Sequence, residues 1–296
     1  MATTPLLWGN LTKISGSGHH PFPLGPAGLC NTLDGTGNRY IDCQHWSVYD
    51  DTLLAISNKC KTTLIELIIH TPHITDVSPL SALEELRRLT LINPEPGLLP
   101  TGSLAGLSPS FSLYYNYNIN INNNHPSSFI SNMEELNLSG CGSALNDQAM
   151  AAIVEFHGQH LRTLNISKTD VGDNGALSIG KECSELLSFN GSYTKIKGKG
   201  MNSIMAGNMY LVDVICTHLL HCSGRVSLVE VRTDKVQAFS HTLITLCLKE
   251  CDSVRNACCY WISTFVSLKE LDVSSCTQLS DSGMVELSKL TQLQRL

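Results

Sequence analysis

The stretch Leu268–Leu290, LKELDVSSCTQLSDSGMVELSKL, limits what the chain can fold into more than any other. Leu268, Leu271 and Val273 are spaced for a strand, Cys276 follows three residues on, and Leu279, Met284, Leu287 and Leu290 then recur at helical spacing. Side chains on a strand alternate between faces, whereas a helix buries one stripe at a period near 3.6. The stretch therefore reads as one strand followed by one helix. Such a unit cannot hold itself together. Burying a large apolar side chain yields roughly 1.5–3 kcal/mol, whereas ordering about 25 residues costs roughly 1.5 kcal/mol apiece. Stacking against copies of itself closes that gap.

The copies are in the chain. Units start at Leu64, Leu86, Ser108, Met133, Leu161, Leu186, Leu211, Leu243, Leu268 and Leu293, in steps of 22, 22, 25, 28, 25, 25, 32, 25 and 25 residues. Their strand positions hold Leu64/Leu67/Ile69, Leu86/Leu89/Leu91, Met133/Leu136/Leu138, Leu161/Leu164/Ile166, Leu186/Phe189/Gly191, Leu211/Val214/Cys216 and Leu243/Leu246/Leu248. With 42% apolar residues, three chosen positions fill by chance in roughly 7% of windows. The pattern L-x-x-L-x-L-x-x-N/C-x-L is that of a leucine-rich repeat. The expected fold is an α/β solenoid, a right-handed horseshoe with a parallel sheet on its concave side and helices or irregular segments outside.

Residues 36–296 read as the array and residues 1–35 as a loosely ordered leader, rich in Gly, Pro, Ser and His and without a period. A degenerate first unit, YIDCQHWSVYDDTLLAISNKC, puts Ile41 on a strand and Leu53, Leu54 and Ile56 on a helix ending near Cys60. The period breaks twice. Phe111 and Leu113 are read as a strand starting at Ser108, after which the low-complexity Asn/Tyr segment 114–125 replaces a helix. The 32-residue step makes 211–242 an enlarged repeat with a bulky convex segment. At its other end the array stops at Leu296 inside a strand pattern with no polar cap, so the expectation is a fragment or a joint with another chain there.

Twelve cysteines need a reason. Cys141, Cys251 and Cys276 fall in one phase, in LNLSGC, LCLKEC and LDVSSC, and Thr169 and Thr194 take that place in the repeats between. A small side chain there can bond to backbone groups left over where the chain turns out of the strand. Cys60 and Cys183 mark a second periodic site, before the next strand. These thiols read as structural. The clusters Cys247-x3-Cys251-x6-Cys258-Cys259 and His218-x2-His221-Cys222 lack zinc-site spacing, so no metal is expected. Cys247 is placed outward and Cys251 inward, and no basic neighbour can be assigned to activate Cys247. Asp147, Asp173 and Asp281 precede helix patterns and read as N-caps. There is no P-loop, no G-x-G-x-x-G opening a helix, no H-E-x-x-H and no G-x-S-x-G. No cofactor is expected.

A net charge of -6 and a pI near 6.0 argue against nucleic acid or an anionic membrane as partner. No apolar run of about 18 residues and no signal-peptide pattern occur, so the reading is a soluble protein of the cytoplasm or nucleus. Asn10, Asn137, Asn165 and Asn190 each begin an N-x-S/T triplet, which without a signal peptide carries little weight as a glycosylation site.

With repeats of the form LxxLxLxxC, a following I/L/V-x-D and a C-x-x-L lead-in, the chain resembles the cysteine-containing leucine-rich repeats of F-box/LRR proteins and of their F-box-less, antagonist-of-mitotic-exit-like relatives. Residues 133–296 carry the resemblance well and 41–107 more loosely, while the leader shows no pattern like the short F-box helices. The resemblance implies a non-enzymatic horseshoe whose concave face holds a protein substrate for an SCF-type E3 ubiquitin ligase. An LRR scaffold with no ligase link is the alternative. By the strand phase, the residues facing the hollow are Glu66, His70, Arg88, Glu135, Asn137, Thr163, Asn165, Asn190, Asp213, Lys249, Glu270 and Asp272. Thr90, Ser139, Ser167, Ser188, Ser192, Thr217, Thr245 and Ser274 complete that face. A few of them should carry most of the binding energy, and the acidic end at Glu270 and Asp272 points to a basic partner.

Overall fold

The computed structural model describes residues 14–15, 39–43, 48–70, 73–93, 99–108, 133–218, 240–252 and 254–296. Its strands are β1 (Ile14–Ser15), β2 (Tyr40–Cys43), β3 (Glu66–His70), β4 (Arg88–Ile92), β5 (Glu135–Asn137), β6 (Thr163–Asn165), β7 (Ser188–Asn190), β8 (Asp213–Ile215), β9 (Thr245–Cys247) and β10 (Glu270–Asp272). They pair in chain order into one ten-stranded parallel sheet. The register is constant. Ile41, Leu67, Leu89, Leu136, Leu164, Phe189, Val214, Leu246 and Leu271 lie side by side in one row, and all are buried. This is an α/β leucine-rich-repeat solenoid, with the sheet on the concave side and the helices on the convex side.

The helices are α1 (Asp50–Lys59), α2 (Asp147–His157), α3 (Asp173–Glu182), α4 (Gly198–Gly207), α5 (Asn256–Ile262) and α6 (Asp281–Leu287). Each buries one stripe: Ala149, Met150, Ile153 and Val154 in α2, and Met201, Ile204 and Met205 in α4. The repeats starting at Leu64 and Leu86 use 3-10 turns instead, Ser78–Ala82 and Ser103–Leu107. The 22-residue step from Leu64 to Leu86 leaves the first of them less chain for its convex side than the longer steps do. In α1, Leu53 and Ile56 are buried but Leu54 is 51% exposed, since a helix that buries positions 53 and 56 turns position 54 away.

One reading of the sequence is corrected. Ser108 does not open a strand: it follows the 3-10 turn and is buried, and β4 pairs directly with β5 through Leu89 and Leu136. One repeat therefore runs from Leu86 to Met133. Its polar Ser108 lacks the apolar residue that anchors every true start. Within the segment read as a leader, Ile14 and Ser15 pair with Ile41 and Asp42, a contact too short to leave a period. The rest of that leader, Phe111 and Leu113, the Asn/Tyr segment 114–125 and residues 219–239 of the enlarged repeat lie outside the described residues. β8 nevertheless pairs directly with β9, so the enlargement adds nothing between those strands.

Phe189 is matched to a gap in its own repeat. Its Cε1 and Cζ atoms lie 2.8 Å from where a Cβ on Gly191 would stand. The β5 and β6 repeats carry Leu136 with Leu138 and Leu164 with Ile166, so the ring fills volume that two aliphatic side chains fill there.

His157, the last residue of α2, is 9% exposed. Its Nε2 lies 3.2 Å from the Leu107 carbonyl oxygen, and its ring meets Phe156 edge-on. Burial pushes its pKa down to about 4, against a smaller opposing effect of that carbonyl. An unfolded histidine takes up its proton near pH 6.5. Between those values the unfolded chain binds a proton that the folded chain refuses, so stability falls as pH drops from about 6.5 to about 4, by roughly 3 kcal/mol. Urea titrations across that range should show the fall in the wild type, and His157→Gln should lack this contribution. An identical pH slope in both proteins would remove His157 as its source.

Candidate protein-interaction face

The concave face is built from strand exits that repeat the same geometry. The side-chain oxygen of Asn137 accepts a hydrogen bond from the backbone N–H of Ser139 at 3.2 Å. Asn165 accepts from Ser167 at 3.0 Å, Asn190 from Ser192 at 3.1 Å and Asp272 from Ser274 at 2.9 Å. Each is an Asx turn. The next residue but two is left-handed every time: Gly140, Lys168, Tyr193, His218, Glu250 and Ser275 have φ between 51° and 78°. Asn137, Asn165 and Asn190 thus face the hollow with their acceptor oxygens already engaged.

One residue further on, the small side chains close the turn as the sequence leads one to expect. Thr169 and Thr194 donate to the Ile166 and Gly191 carbonyls of their own strands, both at 2.6 Å. The cysteines reach back instead to the preceding strand. Cys141 donates to Leu91, Cys251 to Cys216 and Cys276 to Leu248, at 3.5, 2.9 and 3.1 Å. Burial pushes the Cys141 thiol up to about 12 and raises that of Cys276, keeping both protonated and able to donate. Among the described residues nine of ten cysteines are buried. Cys247 is the half-exposed one, and Cys251 is buried. No group of three or more His, Cys, Asp or Glu side chains among the described residues is arranged to hold a metal.

The aspartates do not act as N-caps of their own helices. In α2 the cap is Asn146, which accepts from Ala149 N–H at 2.9 Å. Asp147 reaches forward instead: one carboxylate oxygen accepts from Gly172 and Gly175 N–H, at 2.6 and 3.0 Å, where α3 begins. Asp173 does the same for Lys197 and Gly200 of the next repeat, at 2.8 and 3.0 Å. Asp50 accepts from Thr75 and Asp76 N–H, and Asn256 from Ser280 N–H. Burial alone would raise the Asp50 pKa, but these bonds and the Thr75 hydroxyl outweigh it and hold the carboxyl below its usual range. Asp281 is exposed at the equivalent place in α6.

The register lines up the open-face residues. One row runs Glu66, Arg88, Glu135, Thr163, Ser188, Asp213, Thr245 and Glu270, and the next runs Ile68, Thr90, Asn137, Asn165, Asn190, Ile215, Cys247 and Asp272. Apart from the exposed Glu135, these side chains are half-buried. Arg88 is spent on Glu66, to which its Nε and one terminal nitrogen donate at 3.0 and 2.7 Å. His70 is half-buried at the end of β3. Lys249, two residues past β9, lies 3.7 Å from Glu250, and Glu270 lies 3.4 Å from Arg295. Ser192, read as open, is buried with its hydroxyl accepting from Thr217 N–H at 2.9 Å. The sequence reading missed Tyr193 and His218, whose rings stack 5.2 Å apart on the rim. It also missed Tyr40, whose hydroxyl donates to Asp42 at 3.1 Å.

A leucine-rich-repeat sequence profile matches residues 157–180 and 266–288, which cover parts of the units containing α2–β6–α3 and β10–α6. Those two segments are leucine-rich repeats. No curated protein sequence matches the chain. Similar solved structures include the Rad7 and Elc1 complex in yeast, at 13% identity over 88% of this chain and 63% of that one, TM-score 0.40. An internalin (inlF) from Listeria monocytogenes matches at 16% identity over 90% of this chain and 82% of that one, TM-score 0.41. The LRR protein LIC12759 of Leptospira interrogans matches at 13% over 87% and 60%, TM-score 0.45. The chain thus spans less than two thirds of the length of two of these three. No helix among the described residues is long and apolar enough to cross a membrane.

Proposed function

We propose that the chain is a non-enzymatic protein-binding module whose concave face holds its partner, and that it serves substrate recognition in an SCF-type E3 ubiquitin ligase. The observation that carries the binding reading is the open sheet face, where two in-register rows of half-exposed side chains run from β3 to β10 with no helix of the described residues packed over them. Leucine-rich-repeat proteins as a class use such faces for protein partners. The ligase reading is supported by the cysteine-containing repeat, since Cys141, Cys251 and Cys276 bind the preceding strand in one phase. That is the sequence pattern shared with F-box/LRR proteins. The cytoplasm or nucleus is the compartment that fits this role.

The test is a tagged full chain with a photo-crosslinking residue at Ser188, in the middle of the open face, compared with one at the exposed Glu155 on α2. We expect Ser188 to crosslink to a partner that Glu155 does not touch, with cullin and its linker subunit recovered alongside. Crosslinks from Glu155 and none from Ser188 would remove the concave-face reading. A concave partner recovered without ligase subunits would make the protein an LRR scaffold.

A further inference from the structure

The open face is not chemically uniform. Across β5–β7 it presents Thr163, Ser188 and three asparagines whose acceptors close their own turns, with Glu135 the one charge in its two rows. Across β8–β10 the register sets out a different grid. Its lower row is Asp213, Thr245 and Glu270, and its middle row is Ile215, Cys247 and Asp272. Two residues past the strands stand Thr217, Lys249 and Ser274. The centre of this grid is apolar and half-buried, with Cys247 Sγ 3.5 Å from the Thr217 hydroxyl and 3.8 Å from the Asp272 carboxylate. Around it sit three acids and one lysine. Glu270 shares Arg295, itself highly exposed, and Lys249 leans toward Glu250. Among the described residues no cation lies within ion-pair distance of Asp213 or Asp272. A hollow of about 880 Å3 opens at the β10 end of the grid, where Cys247, Glu270, Asp272 and Arg295 line it together with Leu271 and Met284; it does not reach Asp213.

We propose that β8–β10 are the part of the face that grips the partner, and that the occupant is an extended segment of a protein carrying two cationic side chains three residues apart. The inference rests on the concave-face reading above and specifies what that face selects. Charge complementarity sets the sign, because the acids outnumber the lysine in a region where burial of the floor weakens screening. Geometry sets the spacing. Asp213 and the Glu270/Asp272 pair are two strands apart, and strands lie about 4.8 Å from one another, which gives about 10 Å. A polyproline II segment repeats its facing side chains every third residue, about 9.3 Å along its axis. Laid across the strands, it puts one cation over Asp213 and the next over Glu270 and Asp272. The aliphatic stems of those cations then cover Ile215 and Cys247. The Ser274 hydroxyl and N–H hold the Asp272 carboxyl below its usual range, so it stays ionised in the role assigned to it.

The probe is a labelled, blocked peptide with two arginines separated by two prolines, titrated into the full chain by fluorescence anisotropy. Peptides with adjacent arginines, and with two glutamates in place of the arginines, are the controls. We expect the spaced arginines to bind best, binding to weaken with salt, and Asp213→Asn with Asp272→Asn to cost about tenfold. Glu155→Gln, on the exposed side of α2 and off the concave face, should leave binding unchanged. Equal binding of the adjacent or acidic peptides, an unaltered affinity in the double variant, or no binding of the spaced peptide at millimolar concentration would each overturn the inference. The partner crosslinked at Ser188 separates the two levels. If it is retained at full affinity by the double variant, the grid inference fails and the concave-face reading stands; if no partner crosslinks at Ser188, the reading itself fails.

Discussion

Gly180→Ala is expected to lower the urea midpoint sharply. α3 and α4 are in contact at the level of their backbones. A Cβ on Gly180 would overlap the Ser203 carbonyl, with the carbonyl carbon 2.5 Å away, and a Cβ on Gly207 would overlap the Gly180 carbonyl. Neither obstacle is a side chain that can swing aside. Gly to Ala in a helix ordinarily returns roughly 1 kcal/mol, so the outcome measures which effect wins. Forcing the two helices apart strains every contact below them, and we expect a net loss of about 3 kcal/mol. Ser178→Ala, on the same helix, should be near neutral. A wild-type midpoint for Gly180→Ala would mean that the helices are free to separate.

Phe189→Ala should be comparably damaging for the opposite reason. The ring is fully buried in the central row of the sheet, and its removal leaves a cavity that the short strand cannot collapse into. The expected cost is about 3–5 kcal/mol. Phe189→Leu with Gly191→Ile rebuilds the aliphatic pair of the neighbouring repeat. Alone, Phe189→Leu leaves a void and Gly191→Ile meets the ring, so the double variant should be more stable than the two losses added together. A coupling of about 1–3 kcal/mol is expected from the double-mutant cycle. Strict additivity would show that ring and gap are not matched.

The strands were legible because their chemistry repeats. Every true start carries a large apolar residue, and the one polar start, Ser108, is the one that failed. The 3-10 turns at Ser78–Ala82 and Ser103–Leu107 were harder to read, because leucines such as Leu80 and Leu104 satisfy a helical pattern over so short a span. The open-face asparagines were placed in the right phase, but whether a polar side chain waits for a partner or bonds its own backbone is not written in its identity. A signal was present all the same. The triplets at Asn137, Asn165 and Asn190 recur in repeat phase, as a turn must and a glycosylation site need not. The forward reach of Asp147 and Asp173 was hidden because the groups they bind are backbone amides one repeat on.

That forward reach has a polarity. Each carboxylate belongs to the earlier repeat and each pair of amides to the later one, so on the ribosome the acceptor emerges before the donors it will bind. Because chains are made from the N-terminus and fold as they appear, the starts of α3 and α4 each meet an anion already in place, and this stretch of the array is templated in the direction in which it is synthesised. Gly198 stands where Asp147 and Asp173 do and offers nothing forward. The vectorial advantage should therefore lapse after α4, and the edge of β8 should wait for β9 without it.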